Sequence, residues 1–216
     1  MKEESGVTEV MECPLHTPDR RVIARAAAII SRGGLVVYPT DTFYGLGGDP
    51  GNEQAVRRIF TAKGRSVHKP LPLIIPHRDD AGTWAHAIPP LAERLMDRFW
   101  PGPLTILFPS SPALPAILTA GTGKIGLRMP NAPIATAIAR EAQTAIIATS
   151  ANLSGRGSVS AIGKLIEDLE GLVDLVIDAG ELPPSLGSTI VDATGRRARI
   201  VREGDIPGEI IRGIDT

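Results

Sequence analysis

Two pairs of polar residues in this sequence have the alternating spacing that can direct both side chains of a pair to one place. Lys63 and Arg65 offer an ammonium and a guanidinium, and Ser150 and Asn152 offer a hydroxyl and an amide. Alternate side chains of an extended chain share a face. The first pair therefore suits a polyanion such as a triphosphate, because arginine supplies a planar fork and lysine a point charge. The second pair can both donate hydrogen bonds to a ligand and accept them.

Both pairs also have an interpretation that involves no ligand. Lys63 and Arg65 lie where a predicted helix ends, and basic side chains there can simply complement the negative end of the helix dipole. Ser150 and Asn152 can cap the helix that follows them or shape the turn before it. The spacing alone leaves these alternatives open.

Further candidate ligands follow other predicted strands. In the loop of residues 39–48, Thr40 and Thr42 can hydrogen-bond a small polar ligand, and three glycines would let backbone amides approach it closely. The same loop can equally be an ordinary long turn. Arg128 ends another strand and can bind a carboxylate, although a surface ion pair is the commoner use of such a residue.

Several common enzyme signatures are absent from the sequence. It contains no GxxxxGK[ST], GxGxxG, GxSxG or HExxH pattern, and its four histidines have no metal-ligand spacing. The single cysteine, Cys13, excludes a disulfide within the chain and a cysteine-rich zinc site. We therefore expect an enzyme outside the P-loop, Rossmann, serine-hydrolase and zinc classes.

Composition narrows the class of protein further. Hydrophobic residues make up 43% of the 216 residues, which is enough for a buried core. Aromatic residues make up only 4%, which argues against stacking of bases on aromatic platforms. The formal net charge of -1 provides no global basic field, so any contact with RNA needs a local patch. With no signal-peptide pattern and no apolar run long enough to span a membrane, we expect a cytoplasmic protein without a membrane partner.

The order of predicted elements indicates an α/β fold. Residues 1–18 are predicted to be an irregular leader, and Asp19 is a good N-cap for an alanine-rich helix that runs to about Ser31. The continuous apolar run of residues 145–149 is typical of a central strand covered on both faces. Polar residues at 150–155 leave its carboxyl end, where open α/β sheets place ligands. We predict one domain over residues 19–216, a twisted open mixed sheet with flanking helices.

Several co-linear stretches together resemble the threonylcarbamoyl-adenylate synthase family, whose domain is called YrdC-like. The matching stretches are residues 38–47, 57–65, 69–71, 100–105, 126–130, 149–155 and 188–192. The family signature is Lys-x-Arg followed much later by Ser-x-Asn, and both parts are intact here. The resemblance covers roughly residues 20–205, and the chain looks like the short, single-domain form of the family.

The resemblance implies a fold, a reaction and partners. The fold is a mixed sheet with helices that encloses a large concave cavity. The reaction joins L-threonine, bicarbonate and ATP to give threonylcarbamoyl-AMP and pyrophosphate, with Mg²⁺ carried on the ATP phosphates. A downstream transferase protein then moves the threonylcarbamoyl group to an adenosine of tRNA, and a direct contact of this chain with tRNA is possible.

The resemblance also implies roles for individual residues. The residues implied for ATP are Lys63, Arg65, Ser150, Asn152, Ser158 and Arg202, of which the first four form the catalytic set. Those implied for threonine are Thr40, Arg128 and Ser188, with Arg128 on the carboxylate. In one departure, residues 71–75 lack the histidine that some relatives place there, which affects one threonine contact.

Three other functions compete with this one. The first is a non-catalytic RNA-binding YrdC-like module that uses the same concave surface. The second is a related carbamoyl-adenylate enzyme of the kind found in hydrogenase maturation. The third is a paralogue that keeps the fold but carbamoylates a different acceptor.

Overall fold

The computed structural model describes residues 7–152 and 162–214, which form both helices and strands. The helices are α1 (Arg20–Ser31), α2 (Glu53–Lys63), α3 (Ala81–Trp84), α4 (Pro90–Phe99), α5 (Ala116–Thr119), α6 (Pro133–Glu141), α7 (Ile162–Leu169) and α8 (Gly208–Arg212), with a 3₁₀ turn at Arg78–Asp80. The strands are β1 (Glu9–Glu12), β2 (Val36–Tyr38), β3 (Gly45–Gly47), β4 (Leu73–Ile74), β5 (Leu104–Pro109), β6 (Lys124–Arg128), β7 (Ile146–Ile147), β8 (Thr149–Ser150), β9 (Leu175–Asp178), β10 (Thr189–Asp192) and β11 (Arg199–Arg202). Among the described residues, no helix is both long enough and apolar enough to cross a membrane.

The strands form two mixed sheets. One has five strands in the order β1-β9-β2-β3-β8, and the other has six in the order β11-β10-β5-β6-β4-β7. Each sheet contains both parallel and antiparallel pairs, such as β2 with β9 and β2 with β3 in the first. The predicted α/β class with mixed sheets and flanking helices is confirmed, but the prediction of one sheet is wrong.

The predicted irregular leader is also wrong for part of its length. Glu9–Glu12 forms β1, which pairs in parallel with β9 at the edge of the five-stranded sheet. Sequence reasoning missed this strand because only Val10 and Met11 in it are apolar, and they are adjacent and flanked by two glutamates, without the alternation of a half-buried strand. Its pairing partner lies far along the chain, at Leu175–Asp178. The division into a leader and one domain stays a prediction.

The apolar run at residues 145–149 is divided between the sheets. Ile146 and Ile147 form β7 at one edge of the six-stranded sheet, whereas Thr149 and Ser150 form β8 at one edge of the five-stranded sheet. The run is therefore not the single central strand that the sequence predicted. It is apolar because it is enclosed where the sheets meet, with Ile146 and Ile147 fully buried.

The ends of α1 and α2 are set by capping residues close to them in sequence. Asp19 caps α1 as predicted, since its Oδ1 accepts a hydrogen bond of 2.7 Å from the backbone N–H of Arg21. Asn52 caps α2 in the same way. Gly64 ends α2 in the left-handed conformation, with φ of 56°, which a glycine adopts without strain.

The hydrophobic core has two parts. Side chains of β2 point alternately to opposite faces of the sheet and therefore enter both parts. Val37 enters the larger cluster, with β4, β5, β6 and helices α2 and α4. Val36 and Tyr38 enter the smaller one, which α1 and α6 cover. Both faces of β2 are therefore buried, which explains why this strand contains only apolar and aromatic residues.

The glycines of β3 make room for the ring of Tyr38. A Cβ added at Gly45 would lie 2.9 Å from the Tyr38 ring, and one at Gly47 would lie 2.7 Å from it and 2.5 Å from the Ile147 carbonyl. The Tyr38 hydroxyl donates to that same carbonyl at 2.7 Å. At Gly47 close packing inside the sheet thus replaces the predicted approach to a ligand, whereas Gly45 also lines a cavity, and its approach to a ligand stays a prediction.

We expect Gly47→Ala to destabilise the protein by about 2 kcal/mol, because the new methyl group meets both a ring and a backbone carbonyl. Urea unfolding followed by circular dichroism measures this. Gly163→Ala is the matched control, since nothing lies within 4 Å of a Cβ there and alanine favours the helix. Equal stability of the Gly47→Ala variant and the wild type would contradict the packing argument.

Candidate functional site

A cavity of about 560 Å³ lies between the two sheets. Its floor is apolar and includes Pro72, Ile74, Leu107 and Ala148, while hydroxyl and basic side chains stand around its edges. Its size is in the range of small-molecule sites, and its combination of apolar walls with a few polar groups is typical of them.

The cavity is strongly cationic. No acidic side chain lines it among the described residues. The basic residues that line it are Arg65, Lys69, Lys124, Arg128, Arg199 and Arg202. Such a lining favours a ligand with several negative charges.

Arg128, at the end of β6, is held in place by hydrogen bonds that use only some of its guanidinium N–H groups. It is 7% exposed, and it donates to the Gly102 carbonyl and the Thr42 hydroxyl at 3.1 Å each and to the Asp41 carboxylate. Asp41 in turn accepts from the backbone N–H of Asn131. A guanidinium has five N–H groups, so two of them have no acceptor among the described residues. They suit a ligand carboxylate, and the predicted contact of Arg128 with one stays a prediction.

Ser188 and Arg202 form a polar cluster beside Arg128. The Arg202 guanidinium donates to the Ser188 carbonyl at 2.7 Å and to its hydroxyl oxygen at 3.1 Å. The Thr105 hydroxyl donates to the same oxygen at 2.9 Å. With two hydrogen bonds accepted, the Ser188 hydroxyl can give its own proton to an acceptor in the cavity.

Thr40 lines the cavity, but its hydroxyl serves the loop that contains it. It donates to the Phe43 carbonyl at 2.6 Å and accepts from the backbone N–H groups of Thr42 and Phe43. The Thr42 hydroxyl lies 3.1 Å from it and also accepts from Arg128. The two threonines thus fix the loop beneath Arg128, and the predicted contact of the Thr40 hydroxyl with threonine stays a prediction.

Arg65 lines the cavity from the side of α2. Its guanidinium donates to the Thr149 hydroxyl at 3.3 Å and to the Pro70 carbonyl at 3.2 Å. Its Nε is buried without a hydrogen-bond partner among the described residues. A buried donor without an acceptor is costly, so the Nε adds to the cost of holding this guanidinium at the cavity wall.

The arginines of the cavity repel one another. Burial and the charge of Arg202 lower the pKa of Arg65, and burial and the charge of Arg128 lower the pKa of Arg202. No carboxylate among the described residues pairs with Arg65 or Arg202. Within the described part of the chain, Asp41 is therefore the one carboxylate that pairs with any of the three guanidiniums, that of Arg128.

Lys63 does not share a face with Arg65. Its side chain is 3% exposed and is not among the residues that line the cavity. The ammonium donates to the backbone carbonyls of Ser150 and Asn152, at 2.7 Å for the latter. Burial, with the nearby charge of Arg65, lowers the pKa of Lys63 to about 8. The predicted convergence fails because Lys63 is helical and Gly64 turns the chain, so the tripeptide is not extended.

The second predicted pair is also separated. Ser150 is exposed at the cavity wall, whereas Asn152 is half-buried and is not among the lining residues. Ser158 lies outside the described residues. The structure thus brings Thr40, Arg65, Arg128, Ser150, Ser188 and Arg202 together around one cavity, and it does not place Lys63 or Asn152 among the lining residues.

Sequence reasoning did not assign Lys124, which lines the cavity together with Arg199, to the candidate site. Lys124 and Arg199 both contact the buried carboxylate of Asp192, at 2.6 and 3.0 Å. Lys124 alternates with Gly126 and Arg128 along β6, so the period of two would have placed it on the face of Arg128. No local signal identifies the burial of Asp192, which the neighbouring strands produce.

The described residues contain no group of three or more His, Cys, Asp or Glu side chains that could hold a metal ion. The oxygen ligands that the cavity offers are hydroxyls, such as those of Thr122, Thr149 and Ser150. This set fits Mg²⁺ that enters on a polyphosphate, where phosphate oxygens and water supply most of the ligands.

Comparison with known proteins places these features in a family. The chain matches the Sua5/YciO/YrdC family model, described as telomere recombination, over residues 28–204. A threonylcarbamoyl-AMP synthase of Pyrococcus abyssi is 39% identical over 189 residues, which are 88% of this chain and 56% of that relative. The chain therefore spans just over half the length of this curated relative.

Solved structures agree in fold. The crystal structure of P. abyssi Sua5 complexed with L-threonine is 36% identical, with a TM-score of 0.91 over 96% of this chain and 61% of the other. The crystal structure of E. coli YciO is 28% identical, with a TM-score of 0.85 over 93% of this chain and 97% of the other.

The buried carboxylate under the cavity should make stability depend on pH. Burial alone would raise the pKa of Asp192, but hydrogen bonds from Lys124, Thr194 and Arg199 outweigh it and lower the pKa. Because the folded-state pKa is depressed, this contribution is complete above about pH 4 and is lost as the pH falls further. We expect Asp192→Asn to lower the free energy of unfolding by about 2 kcal/mol near neutral pH.

Urea unfolding at a series of pH values measures the difference in free energy of unfolding between wild type and the Asp192→Asn variant. This difference should shrink on acidification. Asp97→Asn removes an exposed ion pair with Arg78 and serves as the control, with an expected effect below about 0.5 kcal/mol. A difference for Asp192→Asn that stays constant from neutral to acid pH would refute the argument.

Proposed function

The chain belongs to the Sua5/YciO/YrdC family, and from this premise we propose that it is an L-threonylcarbamoyladenylate synthase, a nucleotidyltransferase. It would join L-threonine, CO₂ from bicarbonate, and ATP to give threonylcarbamoyl-AMP and pyrophosphate. The relatives that carry this name and the threonine complex of P. abyssi Sua5 support the proposal.

One observation on this chain supports the proposal independently of the family match. Three arginines, Arg65, Arg128 and Arg202, line one cavity, and no carboxylate among the described residues pairs with Arg65 or Arg202. Burial, and after it the charge of a neighbouring arginine, lowers the pKa of Arg65 and that of Arg202. A ligand with a carboxylate at one end and phosphates at the other would relieve the repulsion between these arginines. Threonine and ATP together are such a ligand set.

The proposed reaction has two steps. The threonine amine attacks CO₂ and loses a proton, which gives a carbamate. A carbamate oxygen then attacks the α-phosphorus of ATP, the bond from that phosphorus to the bridging oxygen breaks, and pyrophosphate leaves. Neither step needs a nucleophile from the protein, because both nucleophiles belong to the substrates. Positioning and charge stabilisation are what the protein must supply.

The geometry suggests a division of labour for these needs. The two remaining N–H groups of Arg128 would hold the threonine carboxylate, and the Ser188 hydroxyl would donate to the same substrate. Arg65 and Arg202 would neutralise the phosphates. Ser150 would bind the nucleotide or the carbamate, with Asn152 and Ser158 assigned to ATP by resemblance. Mg²⁺ would enter with ATP and offset charge on its phosphates.

The wider setting is also part of the proposal. The product is a mixed anhydride that a transferase would pass to an adenosine of tRNA, so we place the reaction in the cytoplasm with tRNA modification. The cavity has a volume of about 560 Å³, and the described residues that line it include only two aromatic ones, Phe43 and Tyr44, which favours a small-molecule site over a run of stacked bases.

We expect Arg65→Ala to lower kcat/KM for adenylate formation at least about 100-fold, because it removes a cavity-lining guanidinium that would stabilise developing phosphate charge. Mass spectrometry of the mixed anhydride, formed from labelled threonine, bicarbonate and ATP, measures this. Arg57→Ala is the control: it lies on the same helix but is exposed and pairs with Glu53. Its rate should stay within about twofold of the wild type.

An Arg65→Ala variant with nearly normal activity would refute the assignment. A wild type that forms no adenylate but binds RNA with a steep salt dependence would instead favour the RNA-binding module.

We further expect serine to replace threonine poorly, by about 10- to 200-fold in kcat/KM, because a missing methyl group forfeits contact with an apolar wall. Alanine should be poorer still, since it also lacks the hydroxyl. Competition between differently labelled amino acids in one reaction measures the ratios directly. Equal turnover of threonine, serine and alanine would show that the substrate is not threonine.

A further inference from the structure

Lys63 is a buried cation that the proposed chemistry does not use directly. Its side chain is not among those that line the cavity, and its ammonium donates to the carbonyls of Ser150 and Asn152. No carboxylate among the described residues pairs with it. Two carbonyl oxygens are therefore the acceptors that stabilise its charge in the protein interior.

The fold directs Lys63 to those carbonyls. It is the last residue of α2, where Gly64 in the left-handed conformation reverses the chain and lets the N–H of Arg65 return to the Phe60 carbonyl at 3.0 Å. The helix end is thus closed by its own backbone. The lysine side chain continues away from the turn toward the end of β8, while Arg65 emerges on the cavity side.

The residues that receive Lys63 are held on their other side by β3. Ser150 pairs with Gly45, and the N–H of Ala151 donates to the Tyr44 carbonyl at 2.8 Å. The segment Ser150–Asn152 is therefore fixed between a strand and an ammonium. Its orientation places the Ser150 side chain at the cavity wall.

We propose that Lys63 is a positioning residue that holds the segment Ser150–Asn152 in register and that it does not contact the phosphates. Arg65, Arg202 and the other lining cations neutralise phosphate charge, and Lys63 acts on the substrates through Ser150. This inference rests on the proposed function for its effect on rate, but the contacts that support it do not depend on that function.

Lys63 can hold this segment because it supplies hydrogen-bond donors to backbone carbonyls at the end of β8. Past the last pair of a ladder, backbone carbonyls need partners, and one ammonium can donate to several of them at once. Charge-assisted bonds of this kind are stronger than neutral ones. A lysine therefore holds a short polar segment more firmly than a neutral side chain of similar length could.

Binding of inorganic pyrophosphate and of ATP, measured by isothermal titration calorimetry, separates a phosphate contact from a positioning role. We expect Lys63→Met to change pyrophosphate affinity by less than about threefold, whereas Arg65→Met should weaken it about tenfold or more. A loss of pyrophosphate affinity in Lys63→Met equal to that in Arg65→Met would overturn the proposal.

A double-mutant cycle tests the connection to Ser150. If Lys63 acts through Ser150, the pair Lys63→Met and Ser150→Ala should lower ATP affinity and kcat no more than the worse single change. The pair Lys63→Met and Arg65→Met should be additive. The opposite pattern, with coupling to Arg65 and additivity with Ser150, would refute the proposal.

Hydrogen exchange of the Ala151 amide gives a readout that needs no activity. It should speed up about tenfold or more in Lys63→Met, with amides of α2 unchanged. Should Lys63→Met fail to fold, Lys63→Gln keeps a donor without the charge: retained pyrophosphate binding supports positioning, and its loss contradicts it. If the wild type makes no adenylate, the proposed function fails, while pyrophosphate affinity and amide exchange still decide the role of Lys63.

Discussion

The structure depends on the passage of the chain from one sheet to the other at Ala148. The N–H of Ile147 donates to the Gly48 carbonyl at 3.0 Å, and the N–H of Ala148 donates to the Pro72 carbonyl at 2.8 Å. Gly48 follows β3 in the five-stranded sheet, and Pro72 precedes β4 in the six-stranded sheet. Successive amides of an extended chain point in opposite directions, so one short stretch can join both sheets. The walls of the cavity are fixed to each other by this join, and Ala148 itself lies in the floor.

Local signals in the sequence predicted the elements but not how they are joined. The caps at Asp19 and Asn52, and the prolines that begin α4 and α6, act over a few residues and can be recognised without a partner. The split of residues 145–149 cannot, because it depends on carbonyls roughly 75 and 100 positions away in the chain. The same holds for β1, whose pairing with β9 overrides its weak propensity.

The candidate site shows the same division. Arg128 and Ser188 were predicted from strand ends and family motifs, and the structure places both at one cavity. Lys63 was misjudged because its partner at Arg65 follows a left-handed glycine, which turns a neighbour in sequence into a side chain facing another way. Lys124 was missed although it alternates with Arg128, since only the buried Asp192 beneath it shows how it is held. Alternation is thus informative within a strand and misleading across a helix end.

The way the cations of the cavity are held explains what they can do. Lys124 and Arg199 share the carboxylate of Asp192, and Arg128 has Asp41, so these three are fixed in direction and partly neutralised. Arg65 and Arg202 have hydroxyl and carbonyl partners instead, which orient a guanidinium without cancelling its charge. Fixed and uncancelled charge is what stabilises a developing phosphate charge, because no reorganisation is needed when it forms. Unpaired charges at the cavity lower the folding stability of the free protein, and binding of a polyanion raises that stability because the ligand binds only the folded state. A protein that keeps such charges buried is therefore more stable with its ligand than without it, and its cavity is shaped by the ligand's charge as much as by its size.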